Sequence, residues 1–304
     1  MKKKWFYFSI ILLFMAGLTG CGMLSQRASS TNTASSKTAA QTSRKAETPY
    51  LQSTTPTFYV HGFHGSARST NTLISYAEKQ TGAQKVLVAT VASNGQLTFS
   101  GEWSKNIMNP IIQVVFSNNV AVYDSQSAWL QAVISELATK YGFTQYNVVA
   151  HSAGNVATVN MLMTADKPAN FPKIAKFVSI AGCYDGVITV DDVVNQNYFT
   201  SSGAPAYEHA AYVLLDGKRQ NFPNGVHILN MIGDLNDGSH SDGLVSNVSA
   251  RSLKYLIRGH QADYTEKVFS GSNAQHSELH ENSQVATAVD QYLWGNPNYQ
   301  QAKK

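Results

Sequence analysis

The feature that most constrains the fold of this chain is an apolar strand that runs directly into a serine. Residues 148–154 read Val-Val-Ala-His-Ser-Ala-Gly, and helical spacing begins at Asn155. Small residues stand two positions before and two positions after Ser152, as a sharp strand-to-helix turn requires, because larger side chains would strike the adjacent strand or helix. A serine here can instead be an ordinary helix N-cap. The flanking small residues favour a serine exposed as a nucleophile at a helix N-terminus.

Strand and helix signals alternate on both sides of this turn. Asn94-Gly95 predicts a tight hairpin, because Asn-Gly accepts the positive φ of a type I′ turn. The predicted strands are residues 57–60, 85–91, 96–100, 111–116, 147–150, 177–181, 227–232 and 267–270, and the predicted helices are residues 69–80, 124–141, 155–163 and 283–294. Such alternation indicates βαβ units. We therefore predict an α/β fold with a mostly parallel central sheet flanked by helices and one β-hairpin.

One long segment interrupts the alternation. Residues 184–223 exceed an ordinary connection and carry several aromatic residues, Tyr198, Phe199, Tyr207 and Tyr212. Loops of this length are usually functional lids or insertions. The segment is predicted to be a cap-like insertion, and a surface excursion that packs its own aromatic side chains is the alternative.

A serine nucleophile needs an acid, and the loop after the predicted strand 227–232 offers three aspartates. In hydrolases with this strand–serine–helix turn, the chain order is nucleophile, acid, histidine. Asp242 is preferred because its Asp-Gly turn comes just before Leu244, an apolar residue that can re-enter the core. Asp234, at the end of the strand, is the second candidate.

The base is expected on the loop that follows the last strand. Residues 274–282 contain His276 and His280 and precede the final helix. His276 is preferred because it lies on the loop, with Leu279 three residues later to anchor the next turn. His280 is the second candidate. His276 would take the proton of Ser152 and return one to the leaving group, while an acid holds its tautomer and stabilises the imidazolium.

Two backbone N–H groups are predicted to bind the oxyanion of such a reaction. One belongs to Ala153, the residue after the nucleophile. The other belongs to Phe63, in the Gly-rich loop after the first strand. Gly62 and Gly65 in that loop let the backbone approach a substrate closely.

No metal site and no cofactor are predicted. His61, His64 and His240 lack the i, i+4 spacing of a helical zinc motif. The run from Asp234 to Gly238 is out of register for an EF-hand calcium loop and lacks the distal glutamate. Ser-His-Asp chemistry itself needs no cofactor.

The N-terminus predicts export and a lipid anchor. Three lysines after Met1 and the apolar run from Trp5 to Leu18 indicate a signal peptide, because the run is too short to span a bilayer comfortably. The run ends in Leu18-Thr19-Gly20-Cys21, which resembles a bacterial lipobox, so residues 1–20 would be removed and Cys21 lipidated. Two acyl chains would hold the protein at the extracellular face of a cell membrane. An ordinary signal peptide and an uncleaved anchor helix are the alternatives.

Composition divides the rest of the chain. Residues 21–55 are rich in Ser, Thr, Ala and Gln and predict a flexible linker. Residues 56–296 form the predicted α/β domain, and residues 297–304 form a polar tail.

Cys183 is interpreted as a packing residue, and no intramolecular disulfide is expected in the mature domain. Removing three signal lysines leaves the formal charge, +4 for the whole chain, close to zero, and no basic cluster indicates nucleic acid binding.

Together these stretches resemble the α/β-hydrolase superfamily and, within it, the DUF915 group of Gram-positive cell-surface hydrolases. The matching segments, in order along the domain, are residues 59–66, 94–95 with 99–101, 149–154, 241–245 and 276–282. The resemblance implies an α/β-hydrolase fold with a triad of Ser152, Asp242 and His276. This sequence departs from the usual Gly-His-Ser-x-Gly-Gly pattern, because Ala150 replaces the first glycine and Asn155 the last.

These features predict a lipid-anchored extracellular serine hydrolase. The simplest substrate is a small-molecule or lipid ester, cleaved by an esterase or lipase-like enzyme through an acyl-enzyme. Two alternatives stay open: the same triad could cleave amides or thioesters, and the fold could serve a surface binding or adhesion protein without catalysis. The presence of Ser152, Asp242 and His276 argues against loss of catalysis.

Overall fold

A computed structural model of the chain describes residues 48–104 and 106–301. The predicted signal peptide, Cys21 and most of the predicted linker lie outside these residues. All the described residues belong to one unit, residues 46–304. Among them, no helix combines the length and the apolar character that a membrane crossing needs.

Within the described residues, one eight-stranded sheet organises this unit. The strands are β1 (Thr57–Val60), β2 (Gln84–Val91), β3 (Leu97–Gly101), β4 (Pro110–Phe116), β5 (Gln145–His151), β6 (Lys173–Ile180), β7 (Val226–Asp234) and β8 (Gln261–Ser270). Their order across the sheet is β3-β2-β4-β1-β5-β6-β7-β8. Neighbouring strands run parallel except β2 and β3, which form an antiparallel hairpin around Asn94-Gly95. The predicted fold, a mostly parallel sheet with one hairpin, is confirmed.

Helices cover both faces of the sheet. They are α1 (Arg68–Thr81), α2 (Tyr123–Tyr141), α3 (Ala153–Met163), α4 (Ala210–Asp216), α5 (Asn247–Arg251), α6 (Leu253–Leu256), α7 (Ser283–Trp294) and α8 (Pro297–Gln301). Successive side chains of a strand point to opposite faces. On β1, Phe58 and Val60 therefore pack in one apolar cluster with α2 and α3, whereas Tyr59 packs in the other with α1 and α7.

The parallel arrangement decides where a site can form. Loops that leave the carboxyl ends of parallel strands gather at one edge of the sheet, which is where open α/β sheets bind ligands. Here the loops after β1, β5, β7 and β8 meet at that edge. All the residues predicted for catalysis lie in or next to these loops.

Described residues before the predicted boundary at residue 56 already contact the domain. The backbone N–H of Leu51 donates to the Trp294 carbonyl over 2.7 Å, and that of Asn109 donates to the Ser53 carbonyl over 2.6 Å. These bonds hold the last residues of the predicted linker along the domain. Their polar composition gave no sign of this, because the pairing is through backbone groups. At the other end, α8 lies in the predicted polar tail.

Two further elements differ from the predicted pattern. Strand β8 begins at Gln261 rather than at residue 267, because it is an edge strand whose exposed polar residues hide the apolar signal. The long segment 184–223 contains α4, and it buries Tyr184 and Tyr212 while leaving Tyr198 and Tyr207 exposed. The segment is therefore packed against the domain at Tyr184 and Tyr212 and exposed to solvent at Tyr198 and Tyr207.

One carboxyl group in this fold is buried without a partner. The Asp290 side chain, on α7, is 1% exposed, and neither of its oxygens is hydrogen-bonded to a described residue. Burial raises the pKa of Asp290 to about 7. The folded chain therefore binds this proton more tightly than the unfolded chain, in which the pKa is near that of a free aspartate.

The Asp290→Asn variant should gain stability relative to wild type as the pH rises from about 4 to 7. Below that window the wild-type carboxyl is protonated in both the folded and the unfolded chain. Within the window the unfolded chain loses this proton while the folded chain keeps it, so wild type loses stability as the pH rises. Above the window both states are charged, and burying the charge in the folded chain costs up to about 4 kcal/mol. Urea unfolding of both proteins at pH 5 and pH 8 measures the difference. Parallel pH profiles for the two proteins would contradict this account of Asp290.

Candidate active site

Ser152 lies on the sharp turn between β5 and α3. Its backbone has φ 54° and ψ −129°, a conformation that non-glycine residues rarely adopt. The Ser152 N–H donates to the Ile180 carbonyl on β6 over 3.0 Å. Packing and hydrogen bonds of this kind are needed to hold a strained residue. In this conformation the Ser152 hydroxyl lies within hydrogen-bond distance of the loop that follows β8.

Close approach of two loops explains the glycines around Ser152. A Cβ atom at Gly154 would lie 2.5 Å from the carbonyl oxygen of His61, and one at Gly62 would lie 2.7 Å from the Cβ of Ser152. Both distances are too short for non-bonded atoms. The loop after β1 can therefore pack on the turn only if both positions lack a side chain.

Asn155 adds hydrogen bonds at the start of α3. Its Nδ2 donates to the Ser152 carbonyl over 3.1 Å and to the Ile180 carbonyl over 2.8 Å. The amide therefore ties the turn to β6. The departure from glycine at this position therefore adds two side-chain hydrogen bonds to the turn.

A series of hydrogen bonds runs from Ser152 to a buried carboxylate. His276 Nε2 lies 2.8 Å from Ser152 Oγ, and His276 Nδ1 lies 2.8 Å from Asp242 Oδ2. The other oxygen of Asp242 accepts the N–H groups of Leu244 (2.9 Å) and Val245 (2.7 Å). A carboxylate only accepts, so Nδ1 carries the proton and Nε2 is free to accept the serine hydroxyl. Asp242 is 1% exposed and His276 6%, which shields both from water.

The second-choice residues have other partners. Asp234, at the end of β7, accepts the Asn236 N–H over 2.8 Å and the Asn247 side-chain amide over 2.7 Å. His280 lies beside the site, with its ring centroid 4.7 Å from that of His151. Neither makes a hydrogen bond in the series from Ser152 to Asp242.

The loop after β1 brings Phe63 to the site. His61 anchors this loop: its Nε2 accepts the Phe116 N–H over 3.0 Å, and its Nδ1 donates to the Gly62 carbonyl over 2.8 Å. Burial lowers the pKa of His61, which keeps this ring neutral. The N–H of Phe63 has no acceptor among the described residues. Ala153 is the first residue of α3, so its N–H has no intrahelical partner.

A pocket of about 540 Å³ opens above Ser152. One wall is apolar and is formed by Tyr123, Cys183, Val187, Val190, Leu244 and Val245. Within the described residues, no Asp, Glu, Lys or Arg side chain lines this pocket. Two other pockets of about 530 and 580 Å³ contain neither Ser152 nor His276.

Cys183 contributes to this wall as a thiol. The side chain is 1% exposed, and burial raises the pKa of Cys183 to about 12. A nucleophilic cysteine needs a lowered pKa. The predicted packing role of Cys183 agrees with both observations.

Among residues 48–104 and 106–301, no group of His, Cys, Asp and Glu side chains is placed to hold a metal ion.

Comparisons with known proteins agree with the architecture. The model of the family described as "Alpha/beta hydrolase of unknown function (DUF915)" matches residues 44–296. The crystal structure of a Listeria innocua gene product is 24% identical, with a TM-score of 0.72, covering 79% of this chain and 93% of that chain. A Lactobacillus plantarum WCFS1 protein, described as a candidate cell-surface hydrolase, is 26% identical, with a TM-score of 0.65, covering 79% and 91%. No curated protein sequence matches the chain.

Proposed function

Because the chain belongs to the DUF915 family of α/β-hydrolases, we propose that it is a serine hydrolase whose nucleophile is Ser152. His276 is the general base and acid, and Asp242 orients His276. The observation that carries the proposal is the unbroken series of hydrogen bonds from Ser152 Oγ through the His276 ring to Asp242.

The reaction follows from these positions. Ser152 Oγ attacks the carbonyl carbon of an ester while its proton passes to His276 Nε2. Asp242 stabilises the imidazolium that forms. The C–O bond to the leaving group breaks, and His276 gives the proton to the departing alkoxide. Water then attacks the acyl-enzyme with the same proton transfers, which releases the acid and restores Ser152.

The negative oxygen of each tetrahedral intermediate needs fixed donors. The backbone N–H groups of Phe63 and Ala153 are proposed for this role. Phe63 lies in the loop that packs on the serine turn, and Ala153 begins a helix whose N-terminal dipole also favours negative charge.

The proposed substrate is a carboxylic ester with an uncharged acyl group. The pocket suits such a group, because its wall is apolar and no Asp, Glu, Lys or Arg side chain among the described residues lines it. A charged peptide would lose water there without gaining an ionic partner. Amide and thioester cleavage remain the alternatives that a substrate panel separates.

The location of the enzyme is proposed from its N-terminus. The lipobox-like residues before Cys21 support a lipid anchor at the extracellular face of a cell membrane. The Lactobacillus plantarum protein, described as a candidate cell-surface hydrolase, is consistent with this placement.

Paired acyl esters test the substrate class. An ester with a methyl-terminated acyl chain should be hydrolysed with a kcat/KM at least about 100-fold above that of an ester of equal length ending in a carboxylate, because no Lys or Arg side chain among the described residues lines the pocket to pair with that charge. Matched thioesters and anilides in the same assay identify the bond. Equal rates for the two esters would contradict an uncharged pocket, and no turnover of any substrate would favour a binding protein.

A further inference from the structure

His151 makes a contact that the proposed reaction does not use. This residue precedes Ser152, is buried, and places its Nε2 3.0 Å from the backbone carbonyl oxygen of His276. A carbonyl oxygen only accepts, so Nε2 carries the proton and donates it. The serine turn and the histidine loop, 125 residues apart along the chain, are therefore joined directly beside their reacting side chains.

The same loop is held from its other side by Asp242. The backbone N–H of His276 donates to the Asp242 carbonyl over 2.9 Å, while the His276 carbonyl accepts from His151. Both backbone groups of His276 are thus hydrogen-bonded, the N–H to the Asp242 carbonyl and the carbonyl to His151 Nε2. Loss of either bond would free the backbone that carries the imidazole.

The surroundings of His151 keep it neutral. Its ring centroid lies 4.8 Å from that of His276 and 4.7 Å from that of His280. Burial, and then the neighbouring His276, lower the pKa of His151 well below its usual value. A neutral ring is the form that can stand beside His276 when that residue takes the serine proton, because a second cation would oppose the transfer.

We propose that His151 is a positioning residue that holds the backbone of His276 so that its Nε2 stays in hydrogen-bond contact with Ser152 Oγ. This inference rests on the proposed serine-hydrolase function. His151 makes no hydrogen bond to the serine hydroxyl, although it also lines the pocket above Ser152. Its effect is on geometry, where an error of about 1 Å can cost about 100-fold in rate.

Two variants separate the hydrogen bond from the packing of the ring. His151→Gln keeps an N–H donor near the position of Nε2 but loses the ring, and His151→Phe keeps a ring but loses the donor. We expect kcat of the Phe variant to fall about 10- to 100-fold with KM within about twofold of wild type, and kcat of the Gln variant to stay within about threefold. Rescue by the donor-bearing variant is the result that a packing role would not produce.

The controls use the same kinds of change. His260→Phe alters a histidine that bonds to Asn224 and lies away from Ser152, and it should leave kcat unchanged. His151→Leu is a second donor-free variant, and thermal unfolding of every variant establishes that it is folded. A Phe variant as active as wild type, or equal losses in the Phe and Gln variants, would overturn the proposal.

Crystal structures of wild type and the two variants provide a measurement that does not need turnover. The separation of 2.8 Å between Ser152 Oγ and His276 Nε2 should persist in the Gln variant and lengthen in the Phe variant. An unchanged separation in the Phe variant would overturn the positioning role. If wild type itself shows no turnover and Ser152 does not react with a fluorophosphonate, the proposed function fails, while these structures still decide the role of His151.

Discussion

Ser152→Ala should abolish hydrolysis, with kcat reduced by at least about 10⁴-fold, because no other group takes the place of a missing nucleophile. Covalent labelling by a fluorophosphonate should disappear in the same variant, since the probe bonds to the activated hydroxyl. The side chain is small and only partly exposed, so the folded structure should survive the change. Steady-state kinetics on the best ester, together with labelling of the purified protein, measure both effects.

A matched serine provides the control. Ser135 is half-buried on α2, away from the carboxyl edge of the sheet, and Ser135→Ala should keep full labelling and turnover. If Ser152→Ala retains wild-type turnover, the proposed nucleophile is wrong. Labelling of intact cells with a membrane-impermeant fluorophosphonate extends the comparison to the proposed extracellular location, because only an outward-facing Ser152 reacts.

Asp242→Asn should lower kcat by about 10⁴-fold, whereas Asp234→Asn should leave it within a fewfold of wild type. An amide at position 242 can donate to His276 Nδ1 and so stabilise the wrong tautomer, in which Nε2 no longer accepts the serine proton. Asp234 instead holds Asn236 and Asn247, so its replacement affects the loop alone. The two variants, assayed side by side on one ester, distinguish the aspartates that the sequence left in competition.

The pair also controls for stability. Both aspartates accept backbone N–H groups in turns, and a comparable loss of unfolding free energy in the two variants would exclude misfolding as the cause of a difference in rate. Equal activities for the two variants would contradict the role proposed for Asp242. A loss confined to Asp234→Asn would transfer that role to Asp234.

Much of the fold could be predicted because its signals are local. The hairpin at Asn94-Gly95 depends on two adjacent residues that accept positive φ, and α2 depends on apolar residues at helical spacing. The start of β8 was missed because an exposed edge strand buries little, so its polar residues carry no periodic apolar pattern. The contacts of residues 48–55 with the domain were missed because their partners are backbone groups of distant segments.

The site was predictable in outline for a similar reason. The small residues around Ser152 follow from the tight turn, and the chain order of acid and histidine restricted the candidates to two loops. Periodicity could not choose within either loop, because irregular loops carry no periodic signal. The preference for Asp242 over Asp234 rested only on the Asp-Gly turn before Leu244. The hydrogen bond from His151 carried no local signal at all, since its acceptor is a backbone carbonyl far along the chain.

The turn that carries Ser152 and the alternation that builds a parallel sheet around it could be predicted from the sequence alone, because both depend on the conformations and the periodicity of neighbouring residues. Which side chains meet that serine depends on how the folded sheet brings distant loops together. It brings Asp242 and His276 into one hydrogen-bonded series with Ser152 and gives Asp234 other partners. Ser152 and His276 are 124 residues apart along the chain. Contacts between such distant residues depend on the order and register in which the strands pair, and no single stretch of the chain encodes that pairing.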